Sequence, residues 1–331
     1  LLTLENFTDF SVANLDGVAS FGGTLSIVDG PRSGSKALQQ SSTAQNVTWA
    51  FASLATIRFS FAVRFSSSFP DTFFWFAEGS EHVTLAANSA GALIVRRATS
   101  FQLDTSDDGV FVLGQWTHLE GRVVIHDSSG SVEIRANGGA AVINLTGADT
   151  KNGQTGVIQS IRFGGAGGGR TVQIADLAVW SEDGEAPTGW LGHTRVDTLL
   201  PSAAGGSTQW TPSSGDNYAC VDETNTDDDS TYVESATNDH KDLYSLGNLS
   251  HSPTAIHAVA VTARAKKTDS GSGAVKLVMK SGSTEAIGSS EALTENQYKR
   301  FFYARGINPD TSAAWSVSDV NALEAGLTAE L

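Results

Sequence analysis

Carboxylates, tryptophans and histidines are the side chains of this 331-residue chain that could do chemistry, and their spacing sorts them. Residues 216–242 hold nine acidic side chains against one lysine. Asp222, Asp227 and Asp229 in that stretch could offer oxygen ligands to calcium, a hard cation that takes six to eight of them. The stretch lacks the Asp-x-Asp-x-Asp-Gly order of a known calcium loop. A solvated loop or a contact between subunits is therefore the competing expectation, and no other cofactor is implied. Trp75, Trp116, Trp180 and Trp190 could each stack on a sugar ring. Trp116 and Trp180 end apolar strand-like runs, where packing is expected. That leaves Trp75 and Trp190 as the carbohydrate-contact candidates, with Trp190 also placed to wedge two domains together. The seven histidines are scattered without a His-x-x-x-His pair, which argues against zinc. No Gly-x-Ser-x-Gly elbow marks a nucleophilic serine. The run Gly164-Gly165-Ala166-Gly167-Gly168-Gly169 fails as a phosphate loop, because Arg170 stands where the third glycine should and a strand follows in place of a helix.

The elements that must position these residues are short strands. Ile57, Phe59, Phe61, Val63 and Phe65 alternate with Arg58, Ser60, Ala62 and Arg64, the period-2 pattern of a half-buried strand. Phe73-Phe74-Trp75-Phe76 is apolar on both faces, as a strand inside a sandwich would be. Residues 83–87 and 93–97 read as a hairpin. Strands follow at 116–126, with Leu119, Val123 and Ile125 on one face, and at 132–135, 142–145 and 172–180. After a linker that closes with a short strand running to Leu200-Pro201, β patterning resumes at 257–265, 275–280 and 297–304. Cys220 sits in a strand-like apolar setting and reads as an inert buried thiol. Ser316 and Asp319 have capping-box spacing for a short helix that Gly326 would stop. The expected fold is all-β: two β-sandwich or jelly-roll domains, at 1–185 and 201–331, joined by a linker at 186–200, with one short helix near the C-terminus.

Composition removes several classes. A net charge of −15 argues against nucleic acid as a partner. A single cysteine excludes an internal disulfide. No run approaches the ~18 apolar residues needed to span a bilayer, so membrane insertion is not expected. Residues 1–7 lack the basic-then-apolar pattern of a signal peptide.

Residues 1–185 resemble the laminin-G/concanavalin-like jelly roll. The resemblance rests on Gly114-Gln115-Trp116-Thr117-His118-Leu119-Glu120, on Val132-Glu133-Ile134-Arg135-Ala136-Asn137-Gly138, and on Ile174-Ala175-Asp176-Leu177-Ala178-Val179-Trp180. It implies a sugar-binding or purely structural module. The Glu-x-x-x-Glu and Glu-x-Asp-x-x-Glu strand patterns of its hydrolytic members are missing from residues 1–185. The second half, from about 195, is similar to a C-terminal module of tailed-bacteriophage structural proteins. The matching stretches are Trp210 with Asp216-Asn217-Tyr218, Val221-Asp222-Glu223, Thr231-Tyr232-Val233, Ala263-Arg264-Ala265-Lys266-Lys267 and Asn308-Pro309-Asp310-Thr311. This implies a non-enzymatic virion component such as a tail, fibre or surface appendage protein on the particle exterior. Its expected partners are other virion proteins, further copies of itself and host surface glycan. A dedicated carbohydrate-binding adhesin is the alternative expectation, and a glycan-degrading enzyme a more distant one.

Overall fold

A computed structural model describes residues 3–5, 19–21, 25–41, 46–153, 155–164, 170–182, 185, 187–224 and 226–331. The chain opens with β1 (Thr3–Glu5), β2 (Ala19–Phe21), β3 (Leu25–Asp29), β4 (Lys36–Gln40) and β5 (Asn46–Leu54). It continues through β6 (Thr56–Phe65), β7 (Phe74–Glu78), β8 (Ser80–Ala87), β9 (Leu93–Arg97) and β10 (Phe101–Thr105). Then come β11 (Trp116–Val124), β12 (Gly130–Ala136), β13 (Ala141–Ala148), β14 (Ile158–Gly164) and β15 (Val172–Trp180). These strands form two antiparallel sheets. The first runs β13-β12-β11-β6-β15-β4-β3, with β1 also pairing β15, and the second runs β10-β9-β8-β7-β14-β5-β2. The glycine run 165–169 lies outside the described residues.

The core between the sheets is built from alternate residues of every long strand, as period-2 patterning dictates. Ile57, Phe59, Phe61, Val63 and Phe65 of β6 face Phe74, Phe76, Leu85, Val95 and Ile161 of the second sheet, all essentially without solvent contact. Phe59, Phe61, Phe74 and Phe76 stack with ring centroids between 4.7 and 5.9 Å. Such pairs each contribute about 0.5–1.5 kcal/mol beyond simple burial. Gly121 sits opposite Phe59 in the β11–β6 register. A Cβ there would fall 2.3 Å from the tip of the Phe59 ring, so the glycine is what admits that ring to the stack.

The half-buried reading of β6 requires a correction. Its other face is covered too: Arg58, Ser60 and Ala62 are all buried. The cover is segment 187–197, which carries no strand and lies as a strap across the outside of the first sheet. The short strand expected to run up to Leu200-Pro201 is not formed: residues 190–200 carry no strand, and the next one starts at Pro201. Three side chains of the first sheet accept backbone N–H groups from the strap. Glu120 takes those of Leu191 and Gly192, the latter at 3.0 Å. His118 Nε2 takes that of Thr194 at 3.3 Å, and Asp176 that of Val196 at 3.0 Å. Because Nε2 accepts, the neutral ring carries its proton on Nδ1. Asp176 sits at a bulge in β15, with φ of 52°, and also holds Arg32 through two bonds of 2.5 and 2.6 Å. Trp190 lies under two guanidinium groups, Arg58 at 4.8 Å and Arg135 at 4.0 Å from its ring centroid. Glu182 ties Arg58 to Arg122 at 2.7 Å each. Trp180, opposite Arg58 in register, is fully buried.

Beyond the strap the chain forms β16 (Pro201–Thr208), β17 (Thr211–Pro212), β18 (Val233–Glu234), β19 (Lys241–Leu246) and β20 (Val259–Ala265). It ends with β21 (Ala274–Ser281), β22 (Thr284–Ile287), β23 (Glu291–Ala292), β24 (Lys299–Arg305), α1 (Val317–Asn321) and β25 (Glu324–Glu330). A six-stranded sheet, β16-β19-β25-β21-β22 with β23 on β21, shares a core with the β20–β24 ribbon through Val261, Leu277, Met279, Phe301, Trp315 and Leu323. The Ser316–Asp319 capping box closes as expected, with both reciprocal bonds present. Gly326 does not stop the helix, which ends at Asn321. It lies in the middle of β25, where any Cβ would strike the Asp242 carbonyl at 1.9 Å. No helix among the described residues is long and apolar enough to cross a membrane.

Two outcomes follow. Gly121→Ala should destabilise the chain by about 1–3 kcal/mol in urea denaturation, since the methyl displaces the Phe59 ring from a packed stack. Burial, reinforced by His193 and Arg32, holds the His118 pKa down to about 3. The unfolded chain therefore binds a proton that the folded chain refuses between about pH 6.5 and pH 3, and stability falls as pH is lowered through that window. Between pH 6.5 and 4.5, above the ordinary carboxylate range, the loss should be on the order of 2 kcal/mol. His118→Gln should flatten that slope without abolishing it, because burial also depresses His257. An unchanged slope would count against the strap contact.

Candidate functional site

The strap covers the centre of the first sheet's outer face, at Arg58, Ser60 and His118, and the outer face of the second sheet is the one it does not cover. Antiparallel partners directly opposite one another project from the same face. Register therefore aligns Gln102 (β10), Arg96 (β9), Thr84 (β8), Trp75 (β7), Arg162 (β14) and Thr48 (β5) in a single row. Each flanking residue along these strands that belongs to the core, such as Phe74, Phe76, Val95, Ile161 and Phe163, points the other way. Phe73-Phe74-Trp75-Phe76 is thus not apolar on both faces in its packing: Phe73, Phe74 and Phe76 enter the core, and Trp75 is half-buried on the outside. Neighbouring strands lie about 4.8 Å apart, which puts Arg162 one strand (about 5 Å) and Arg96 two strands (about 10 Å) from Trp75 across the sheet. Arg162 donates to Glu81 at 3.1 Å, while its Nε is buried with no partner. Arg96 donates to the Asp71 backbone carbonyl at 2.7 Å. Thr84 is buried and committed to the Ala98 carbonyl. A flat aromatic ring between two guanidinium groups can stack on the apolar face of a pyranose while the cations meet its oxygens.

Of the two tryptophans singled out by sequence, Trp75 is on this open face. Trp190 is held in the strap beneath Arg58 and Arg135, on the opposite side of the sandwich. Trp116 packs on the small Ala37, Ala62 and Ala175 cluster, in line with a packing role.

One pair outside this row has the geometry of a nucleophile and its base. Ser60 Oγ lies 2.8 Å from His118 Nε2 and 2.5 Å from Thr194 Oγ1. Both Ser60 and His118 are sealed beneath the strap, with 0% and 2% exposure, so no substrate reaches them. Their chemistry is that of an internal hydrogen-bond network.

The acidic stretch distributes its carboxylates among separate partners. Asp228 grips Arg264 through bonds of 2.7 and 3.0 Å. Asp229 meets Lys266 at 2.6 Å and the Tyr298 hydroxyl at 2.9 Å, and the Lys266 contact leads in holding its pKa below the usual aspartate value. Asp227 and Glu223 share the Thr231 hydroxyl at 2.8 and 2.7 Å. Asp222, Asp227 and Asp229 are not gathered around one point, and no group of three or more His, Cys, Asp or Glu among the described residues is arranged to hold a metal. The acid that composition could not separate from the rest is Asp242. It is fully buried and accepts from the Trp210 N–H at 2.9 Å, the Asn217 amide at 2.5 Å and the Tyr244 hydroxyl at 3.0 Å. Burial pushes the Tyr244 pKa up, so the hydroxyl keeps the proton it donates. Cys220 is buried as expected, but it closes a 3₁₀ turn, Asn217–Cys220, in place of a strand, and its thiol donates to the Ser214 carbonyl.

A cleft of about 1490 Å³ lies away from the Trp75 row. It runs along the strap and the open side of the second core, past Leu199, Val261 and Leu323 to Asp228 and Tyr298. Its carboxylates Asp228 and Asp229 are already paired with Arg264 and Lys266, and His251 Nδ1 on its lining is buried with no partner.

Solved structures similar to part of this chain include a cellulose-induced protein, Cip1, with a TM-score of 0.42 and 14% identity over 54% of this chain and 96% of that one. Lectin I-B4 from Griffonia simplicifolia gives 0.38 and 10% over 54% and 98%. Alginate lyase vAL-1 from a Chlorella virus gives 0.35 and 12% over 50% and 90%. Each likeness extends over about half of this chain. No family model matches the sequence, and no curated protein matches it.

The ion pairs of the acidic stretch set an expectation. Asp228→Ala should cost about 1 kcal/mol or less, since that carboxylate is partly exposed, and the loss should shrink in high salt. Asp242→Ala should cost several times more and be insensitive to salt, because it leaves buried donors unpaired. Chemical denaturation of both variants at low and high ionic strength separates the two roles.

Proposed function

We propose that this chain is a non-enzymatic virion component whose first half binds glycan through the outer face of the second sheet. The carrying observation is the row that sets the half-buried Trp75 between Arg96 and Arg162 on the outer face of the second sheet, the face the strap does not cover. The sealing of Ser60 and His118 supports a binding role over a hydrolytic one. The virion assignment draws its support from the likeness of the second half to tailed-phage structural modules. On a particle exterior, many copies would let a shallow site act by avidity, so individually weak contacts suffice.

The test of the binding face is Trp75→Ala in the full chain. Loss of the ring should weaken glycan binding by at least about tenfold, or roughly 1.4 kcal/mol, at a temperature where both proteins remain folded. Binding that survives the substitution would overturn the assignment of this face. Mass spectrometry of purified particles tests the location, and absence of the chain from them would overturn it.

A further inference from the structure

The charges around Trp75 narrow the ligand class. The chain has 36 acidic residues against 21 lysines and arginines, so acids are in excess for every cation. Arg32, Arg58, Arg97, Arg122, Arg264 and Arg305 each meet a carboxylate. Arg96 does not. Its only hydrogen bond among the described residues goes through one terminal nitrogen to the Asp71 carbonyl, which leaves the rest of a planar, five-donor fork uncommitted. The Asp71 carboxylate itself is 90% exposed and lies 4.0 Å from Arg170, a second cation beside the same loop. On the other side of Trp75, Arg162 is paired with Glu81 at 3.1 Å and its Nε is buried with no partner, which leaves Arg96 as the cation of the row without a carboxylate among the described residues. No residue of the row from Gln102 to Thr48 is acidic.

Building on the glycan-binding reading above, we infer that the ligand is an acidic glycan, one whose sugar ring stacks on Trp75 while a carboxylate is taken by Arg96. The distances fit this class. A pyranose is about as wide as one strand spacing, so a ring seated over Trp75 places its substituents within reach of a side chain one or two strands away. A guanidinium fork matches a carboxylate through two parallel bonds, which a neutral hydroxymethyl group cannot reproduce. A sulfated sugar would present anionic oxygens as well, but without the planar match.

The test uses the full chain against oligosaccharides of galacturonate, guluronate and glucuronate, each beside its methyl ester, with a heparin-derived sulfated oligosaccharide as a further arm. The expected result is that at least one free acid binds about tenfold or more tightly than its ester, with that preference fading as salt is raised. Arg96→Gln should bring the acid-to-ester ratio close to one by weakening the acid far more than the ester, and Trp75→Ala should weaken acid and ester alike. Equal binding of acid and ester, or a ratio unmoved by Arg96→Gln, overturns the acidic-ligand inference and leaves glycan binding standing. Preference for the sulfated arm over every uronate overturns the carboxylate assignment. Failure of the chain to bind any oligosaccharide in either form overturns the glycan-binding reading itself, and the inference with it.

Discussion

The burial of three polar side chains on the outside of the first sheet is the constraint around which the rest of the molecule is arranged. His118, Glu120 and Asp176 are nearly inaccessible to water, and a buried acceptor without a donor is costly. Each accepts backbone N–H groups from the strap, so the strap supplies donors that the sheet lacks, while His118 Nδ1 stays buried with no partner. Glu120 shows the balance within one residue. Desolvation raises its pKa, while the Leu191 and Gly192 amides and the nearby Arg135 and Arg58 pull it back. Because these bonds lie on the face opposite the Trp75 row, the sandwich is left with one committed side and one available side.

That division accounts for what the sequence disclosed and what it withheld. Alternation at Ile57, Phe59, Phe61, Val63 and Phe65 is a local signal, and it located β6 and its core face. The same alternation labelled Arg58 and Ser60 as solvent-facing, because polarity normally means exposure. It was misleading here because their partners come from more than 100 residues away, at Glu182 and Thr194. The Ser316–Asp319 box was legible because a cap is completed within four residues, whereas Gly326 resembled a helix stop although its role is set by a carbonyl on another strand.

The candidate site divides in the same way. Trp75 could be picked out by residue type, but its neighbours Arg96 and Arg162 depend on strand register across β9, β8, β7 and β14, which composition does not encode. In the acidic stretch the density of carboxylates suggested a cation, and the cations proved to be Arg264 and Lys266 on β20. Asp242 stood unremarked among its acidic neighbours because burial, the property that distinguishes it, is conferred by the strands packed on β19.

The bulge at Asp176 restricts the alphabet available to one position. Its backbone lies at φ of 52°, which favours glycine, asparagine or aspartate over other residues. Its side chain must also remain anionic for Arg32 and short enough to reach the Val196 amide. Glycine would satisfy the backbone alone, asparagine the backbone and the amide, and glutamate only the charge. Aspartate alone meets all three demands. Among relatives that keep the strap, this position should drift less than the phenylalanines of the core, where one apolar ring can replace another.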